Sequence, residues 1–136
     1  MSHTRNKSML AFSIPAFVVS LLLSLLVFSD EFIIIIPLVA SATVFSGSLG
    51  FIFANSFSGS KYKAMLLGAA ITTITFIFSI TITVLALKVK VFGYDAIFRI
   101  ETYMSEIILT VGITGSFSAP LLLPLGAYIG IYVRNA

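Results

Sequence analysis

Residues 64–87 read AMLLGAAITTITFIFSITITVLAL and contain no ionisable side chain. A stretch of this length is enough for a membrane helix, since about 20 residues span a hydrocarbon core about 30 Å thick. Residues 9–28, 32–54 and 107–133 form three more stretches without charge, imidazole or side-chain amide. One charge at the centre of a membrane helix costs about 2.5–3.5 kcal/mol, so this lack of charges predicts four membrane spans.

The composition of the whole chain also indicates a membrane protein. Only 10% of its 136 residues are charged and 59% are hydrophobic, with a mean hydropathy of +1.14. In soluble domains about a quarter of the residues are charged. A body of this size cannot hide so much apolar surface from water, which predicts a single membrane domain over residues 1–136.

The third stretch carries a pattern that argues against a helix. Residues 73–84 alternate largely between hydroxyl-bearing and apolar side chains, which is the period of a strand. A membrane barrel needs about eight such segments, and the other stretches are solidly apolar. A helix satisfies its backbone polar groups internally, and its Thr and Ser hydroxyls bond to carbonyls one turn earlier. We therefore predict an all-α integral membrane protein, a bundle of four transmembrane helices.

The basic residues predict the orientation of the bundle. One side of the predicted membrane domain holds both termini together with five of the eight basic residues and none of the five acidic residues: Arg5, Lys7, Lys61, Lys63 and Arg134. The other side holds the remaining charges: Asp30, Glu31, Lys88, Lys90, Asp95, Arg99, Glu101 and Glu106. Because cytoplasmic loops carry an excess of Lys and Arg, we predict a cell-membrane protein with both termini in the cytoplasm.

The first span has an alternative interpretation as a signal peptide. Val27-Phe28-Ser29 before Asp30 resembles a cleavage site, and cleavage there would leave three spans. The apolar core of a signal peptide is about 7–15 residues long, and this one is longer. We therefore expect a retained membrane anchor.

The long connection between the third and fourth spans has a helical pattern of its own. Polar and apolar side chains recur there on two different faces: Asp95, Arg99, Thr102 and Glu106 on one, and Ile97, Ile100, Met104 and Ile107 on the other. This pattern predicts either a short amphipathic helix in the membrane interface or an early start of the fourth helix. In the fourth span, Pro120 and Pro124 are compatible with either a kinked or a broken helix.

Small residues recur along every predicted span. Lipid provides little hydrophobic drive for helices to associate, so small residues that let backbones approach are the expected contact positions. The candidate helix-packing residues are Ser20, Ser24, Gly47, Gly50, Gly68, Gly115, Ala119, Gly126 and Gly130. Thr72, Thr75, Ser79 and Thr83 form a polar stripe on the third span, for which a structural role and the lining of a solute path are both open.

The sequence offers few groups for chemistry. There is no Cys, the one His is His3, and every carboxylate lies outside the spans. Acid–base or nucleophilic catalysis needs a positioned titratable group, so we expect no enzyme, no metal and no cofactor. The basic net charge of +3 is explained by the loops without nucleic acid.

Two functional hypotheses follow. The first, which the small residues favour, is a non-catalytic accessory subunit that acts through helix packing with other membrane proteins or with itself in the lipid bilayer. The second is a channel or carrier for a small neutral or weakly charged solute, with the stripe of the third span lining its path.

Overall fold

The computed structural model describes residues 2–27 and 32–135, and all regular structure in these two ranges is helical. The four long helices are α1 (Ser2–Val27), α2 (Phe32–Ile52), α3 (Lys61–Phe92) and α4 (Ile100–Asn135). Each contains a window long and apolar enough to cross a membrane. The prediction of an all-helical chain with four apolar helices is confirmed. Phe28, Asp30 and Glu31, and with them most of the alternative cleavage site, lie outside the described residues.

The hydroxyl groups of α3 explain how an alternating sequence forms a helix. Thr73 and Thr81 donate hydrogen bonds to the carbonyl oxygens of Ala69 and Ile77, both at 2.8 Å. Each bond closes on the preceding turn of the same helix, so the hydroxyl needs no partner elsewhere. The strand-like period is therefore compatible with a helix.

Local signals set the ends of α3. The hydroxyl of Ser60 accepts a hydrogen bond from the backbone N–H of Lys63 at 3.3 Å, which caps the first turn. Gly93 ends the helix with a φ of 82°, and its N–H donates to the Val89 carbonyl at 2.8 Å. A positive φ is strained for residues with a side chain, so glycine allows this sharp change of direction.

The helices form two hairpins that pack side by side. α1 packs along α2 and α3 packs along α4, while α2 and α3 join the two hairpins. α1 and α4 make few contacts in the described part of the chain. We call the end at which α1 and α3 begin the tight end of the bundle, and the end at which they finish the wide end.

The apolar core lies near the tight end. Its buried residues come from three long helices and from a 3₁₀ turn over Ala54–Ser58: Phe12, Phe57, Ala64, Ile71, Ile129 and Val133. The rings of Phe12 and Phe57 lie 5.6 Å apart and are tilted by 32°. Because this turn places Phe57 against the bundle, the helices are closed off at that end.

The connection between α3 and α4 was predicted to be either a short interfacial helix or an early start of the fourth helix. Tyr94–Arg99 is a short 3₁₀ helix, and α4 follows it directly from Ile100 onward. The fourth helix therefore starts before the predicted span at 107–133, and a short helix precedes it whose place in the membrane interface stays a prediction. α4 also continues without a break through Pro120 and Pro124. Proline removes one backbone donor and crowds the preceding turn, and membrane helices tolerate this because neighbouring groups satisfy the freed carbonyl.

Candidate binding cavity

A cavity of about 330 Å³ lies between the four helices, on the wide-end side of the core. Phe12 and Ile129 border it toward the tight end, and Leu87 and Thr110 border it toward the wide end. Between Thr72 and Leu87, the lining part of α3 rises by about 22 Å at 1.5 Å per residue, so the cavity is elongated along the bundle. Its volume falls at the lower end of the range for small-molecule sites, about 300–1,000 Å³.

Glycines bring α3 and α4 into backbone contact on the tight-end side of the cavity. A Cβ built on Gly68 would collide with the carbonyl oxygen of Gly126 and lie 2.9 Å from the nitrogen of Gly130. A Cβ on Gly130 would collide with the carbonyl oxygen of Ala64. Three predicted packing residues thus meet at one crossing, and no side chain fits between the two backbones there.

α1 and α2 approach each other in a similar way. A Cβ on Gly50 would lie 2.8 Å from Cδ2 of Phe12 and 2.9 Å from the carbonyl oxygen of Ser8. The hydroxyl of Ser8 donates to the Gly50 carbonyl at 2.7 Å. Gly47 is buried as well, with Cβ of Ser13 at 3.2 Å from the position that its own Cβ would take.

The predicted pair Gly115 and Ala119 lies where the helices are farther apart. The nearest atom to a Cβ on Gly115 is Cε1 of Phe76 at 3.7 Å, an ordinary contact with a side chain. Ala119 is half-buried. A phenyl ring therefore separates α4 from α3 at this level, whereas backbone touches backbone at Gly126 and Gly130.

Ser20 and Ser24 border the cavity from α1. Ser24 is fully buried and donates to the carbonyl oxygen of Ser20 at 2.6 Å, and Ser20 donates to the carbonyl of Ala16. Both hydroxyls thus bond within their own helix while their side chains face the space between the hairpins.

The four residues of the predicted solute path all line the cavity: Thr72, Thr75, Ser79 and Thr83. Thr72 donates to the Gly68 carbonyl at 3.0 Å, and Thr83 donates to the Ser79 carbonyl at 2.8 Å. The hydroxyls of Thr75 and Ser79 have no hydrogen-bond partner among the described residues, although each residue is only 6% exposed. An unpaired buried hydroxyl costs about 1–3 kcal/mol. Two residues that line the cavity thus carry buried hydroxyls without a partner in the described part of the chain.

Further hydroxyl-bearing residues that sequence reasoning missed complete the wall. Ser46 of α2 donates to the Phe12 carbonyl at 3.1 Å, which ties α2 to α1. α4 contributes Thr110, Thr114 and Ser118. Their spacing of four places them on one helix face, and this was the signal in the sequence that could have found them.

An ion pair lies close to the wide end of the cavity. The ammonium of Lys88 is 2.8 Å from a carboxylate oxygen of Glu106, and it lies 5.0 Å from the ring centroid of Tyr103. Lys88 follows the lining residue Leu87 directly. Because half of the Glu106 side chain is exposed, the pair contributes at most about 1 kcal/mol to stability.

The chemistry of the wall is uniform. Every lining residue that the structure describes is apolar or bears a hydroxyl, and none is ionisable. The described part of the chain also holds no cluster of three or more His, Cys, Asp or Glu that could bind a metal. Such a wall fits a largely apolar molecule without a charge. Comparison with protein-family models, with curated proteins and with solved structures finds no match to this chain.

Proposed function

We propose that this protein spans the membrane four times and binds a small uncharged molecule in the cavity between its helices, as a carrier or binding protein for a solute dissolved in the bilayer. One observation carries the proposal: Thr75 and Ser79 line the cavity, and their buried hydroxyls have no hydrogen-bond partner among the described residues. Buried polar groups in folded proteins are nearly always hydrogen-bonded.

The size of the cavity supports the same conclusion. A volume of about 330 Å³ is enough for a small molecule, since ligand sites usually measure about 300–1,000 Å³. Side chains that border unfilled space lose dispersion contacts on that side, and an occupant of fitting shape restores them.

The outer surface supports membrane insertion. Leu26 and Phe117 are 81% and 83% exposed, and such side chains cover the outside of all four helices. At the wide end, Tyr94 and Phe98 are 80% and 87% exposed beside the charged residue Arg99. Aromatic and charged side chains together are typical of the interface between lipid and water.

The charges support an orientation with the tight end in the cytoplasm. That end carries five basic residues, Arg5, Lys7, Lys61, Lys63 and Arg134, while the acidic residues that the structure describes lie near the wide end. The chain has no Cys, so single cysteines report topology cleanly. In intact cells, an impermeant maleimide should label Tyr94→Cys but leave Tyr62→Cys unlabelled until lysis. The opposite pattern would reverse the orientation.

The packing-subunit hypothesis has less support than the carrier. It depended on small residues as contact surfaces for other proteins. Gly68, Gly126 and Gly130 are instead engaged with each other inside the chain, and Gly50 is engaged with α1. We propose binding without catalysis, since the described residues that line the cavity offer no titratable group.

Filling the cavity tests the proposal. Leu in place of Ala16 or Ser118 would occupy the space from α1 or α4, and Ala40→Leu is a matched control because Ala40 is exposed on α2. The protein is purified in mild detergent, and uncharged molecules extracted from it are identified by mass spectrometry. We expect a near-stoichiometric compound with the unaltered chain and the control, and its loss from both filled variants. Equal amounts in all four proteins, or none above the detergent background, would refute the proposal.

A further inference from the structure

We infer that the ligand of this cavity carries a hydrogen-bond acceptor oxygen, such as a carbonyl, between two apolar arms, and that Thr75 and Ser79 donate to this oxygen. The inference rests on the proposed function and names the chemical class of its ligand. It follows from which hydroxyls of the wall still have a hydrogen to donate and from where they lie along the cavity.

Most hydroxyls of the wall have already donated their hydrogen. A Ser or Thr hydroxyl has one hydrogen, so once it bonds to a backbone carbonyl it can only accept. Bonds of this kind are made by Ser20, Ser24, Ser46, Thr72, Thr83, Thr110 and Thr114. Ser118 on α4 also makes no hydrogen bond to the described residues, but it is only half-buried. Thr75 and Ser79 are buried, have no partner in the described residues and retain their donors. The wall therefore selects for a ligand that accepts hydrogen bonds.

The two free donors are placed to share one acceptor. Thr75 and Ser79 are four residues apart on α3, so their Cβ atoms lie on one face about 5–6 Å from each other. A carbonyl oxygen has two lone-pair directions and lies within hydrogen-bond distance of both hydroxyls when it sits between them. Two donors on one oxygen favour a ketone, ester or amide over a hydrocarbon of the same shape.

The position of the pair defines the shape of the ligand. The lining residues of α3 continue below the pair to Thr72 and above it to Leu87. Apolar side chains surround both parts, including Phe12 near the tight end and Leu23 on α1. An acceptor held at Thr75 and Ser79 thus leaves room for an apolar group on either side. The absence of ionisable groups from the described lining disfavours a charged ligand.

The route into the cavity is consistent with a ligand dissolved in lipid. α1 and α4 both border the cavity but make few contacts with each other in the described chain. The side between them is therefore the weakest part of the wall, and it faces the surroundings of the bundle. A molecule with apolar arms reaches this side through the bilayer and need not enter from water.

A pair of probes with matched shape tests the inference. 6-Undecanone with a ¹³C-labelled carbonyl and undecane are added at equal mole fraction to the full chain in lipid nanodiscs, and the bound amounts are measured. We expect about a ten-fold preference for the ketone, the ratio that two modest hydrogen bonds supply. The ¹³C=O stretch of the bound ketone should lie below its frequency in the bilayer.

Variants assign the preference to the two hydroxyls. Thr75→Val with Ser79→Ala should bind both probes equally and return the C=O stretch to its bilayer value, and Thr75→Val alone should lose part of each effect. Thr81→Val is the matched control because Thr81 donates within its own helix and does not line the cavity. Equal binding of ketone and undecane to the unaltered chain, or a preference that survives the double substitution, would overturn the inference and leave the proposed cavity intact. If neither probe binds, the proposed function itself fails.

Discussion

Adding a single methyl group at Gly130 tests the contact that closes the tight end. The Cβ of an alanine there would collide with the carbonyl oxygen of Ala64, lie 2.9 Å from the carbonyl carbon of that residue and lie 3.3 Å from Cα of Gly68. All three are backbone atoms, so no side-chain rotation relieves the contact. α3 and α4 must move apart instead, which also loosens the neighbouring contact between Gly68 and Gly126.

The magnitude follows from two opposing terms. Overpacking of this kind costs about 1–3 kcal/mol, and the separation of the helices adds lost dispersion contacts. Alanine is favoured over glycine in a helix by at most about 1 kcal/mol. The packing term is larger, so we expect Gly130→Ala to lower the free energy of unfolding by about 2 kcal/mol.

Gly115→Ala is the matched control on the same helix. Its new Cβ would meet only the ring of Phe76 at 3.7 Å, so the helix-propensity gain remains and stability should be unchanged or higher by up to about 1 kcal/mol. Unfolding is measured by SDS titration in mixed micelles, with the near-ultraviolet circular dichroism of the five tyrosines as the signal. If Gly130→Ala is no less stable than Gly115→Ala, the reasoning about backbone contact is refuted.

Three other substitutions probe separate contacts by the same titration. Ser8→Ala should lower stability by about 1 kcal/mol, because the buried Gly50 carbonyl loses its donor, while Ser48→Ala should have little effect because that hydroxyl is exposed and bonds within its own helix. Equal effects of these two would contradict the assignment. Phe57→Ala should lower stability by about 3 kcal/mol, since this ring is 1% exposed in the core, and a loss below about 1 kcal/mol would show that it does not close the tight end. Lys88→Met should change stability by no more than about 1 kcal/mol, and the change should shrink in high salt, whereas a larger and salt-independent loss would show that this ion pair is a major support of the α3–α4 hairpin.

The four helices could be predicted because their signal depends on each stretch alone. A run without ionisable side chains can enter hydrocarbon because of its own composition, independently of the rest of the chain. The alternating pattern around Thr75 has the period of a strand, but the segment forms a helix. Bonds such as Thr73 to Ala69 show that a hydroxyl on a helix can be satisfied by its own helix, whereas the hydroxyls of Thr75 and Ser79 have no partner among the described residues.

The connection after α3 could not be decided from its pattern. Helical spacing of polar and apolar residues is the same for a separate interfacial helix and for the first turns of α4. The deciding feature is where the backbone turns, and Gly93 places that turn with a positive φ just before Tyr94. Glycine at this position is visible in the sequence, but its positive φ, which sets the direction of the chain, is seen only in the structure.

The spacing of small residues did not separate contacts from gaps. Gly115 with Ala119 and Gly126 with Gly130 have the same spacing on α4, yet the second pair includes backbone contacts with α3 and the first faces a phenyl ring. The difference comes from what the partner helix presents, Gly68 in one case and Phe76 in the other. The cavity could not be predicted from the sequence for a similar reason. Its volume depends on how far the two hairpins lie apart, which no single segment determines.

The two buried donors give the cavity a selectivity that apolar shape alone does not supply in a bilayer. Hydrogen bonds between groups in a membrane contribute about 0.6 kcal/mol each on average. Two such bonds from Thr75 and Ser79 correspond to the preference of about ten-fold that is expected for the ketone. Apolar shape discriminates weakly in the same setting, because lipid chains fill apolar space as readily as a ligand does. A site in the membrane that must distinguish its ligand from lipid therefore relies on a few polar groups, and the described wall holds two such donors within one helical turn.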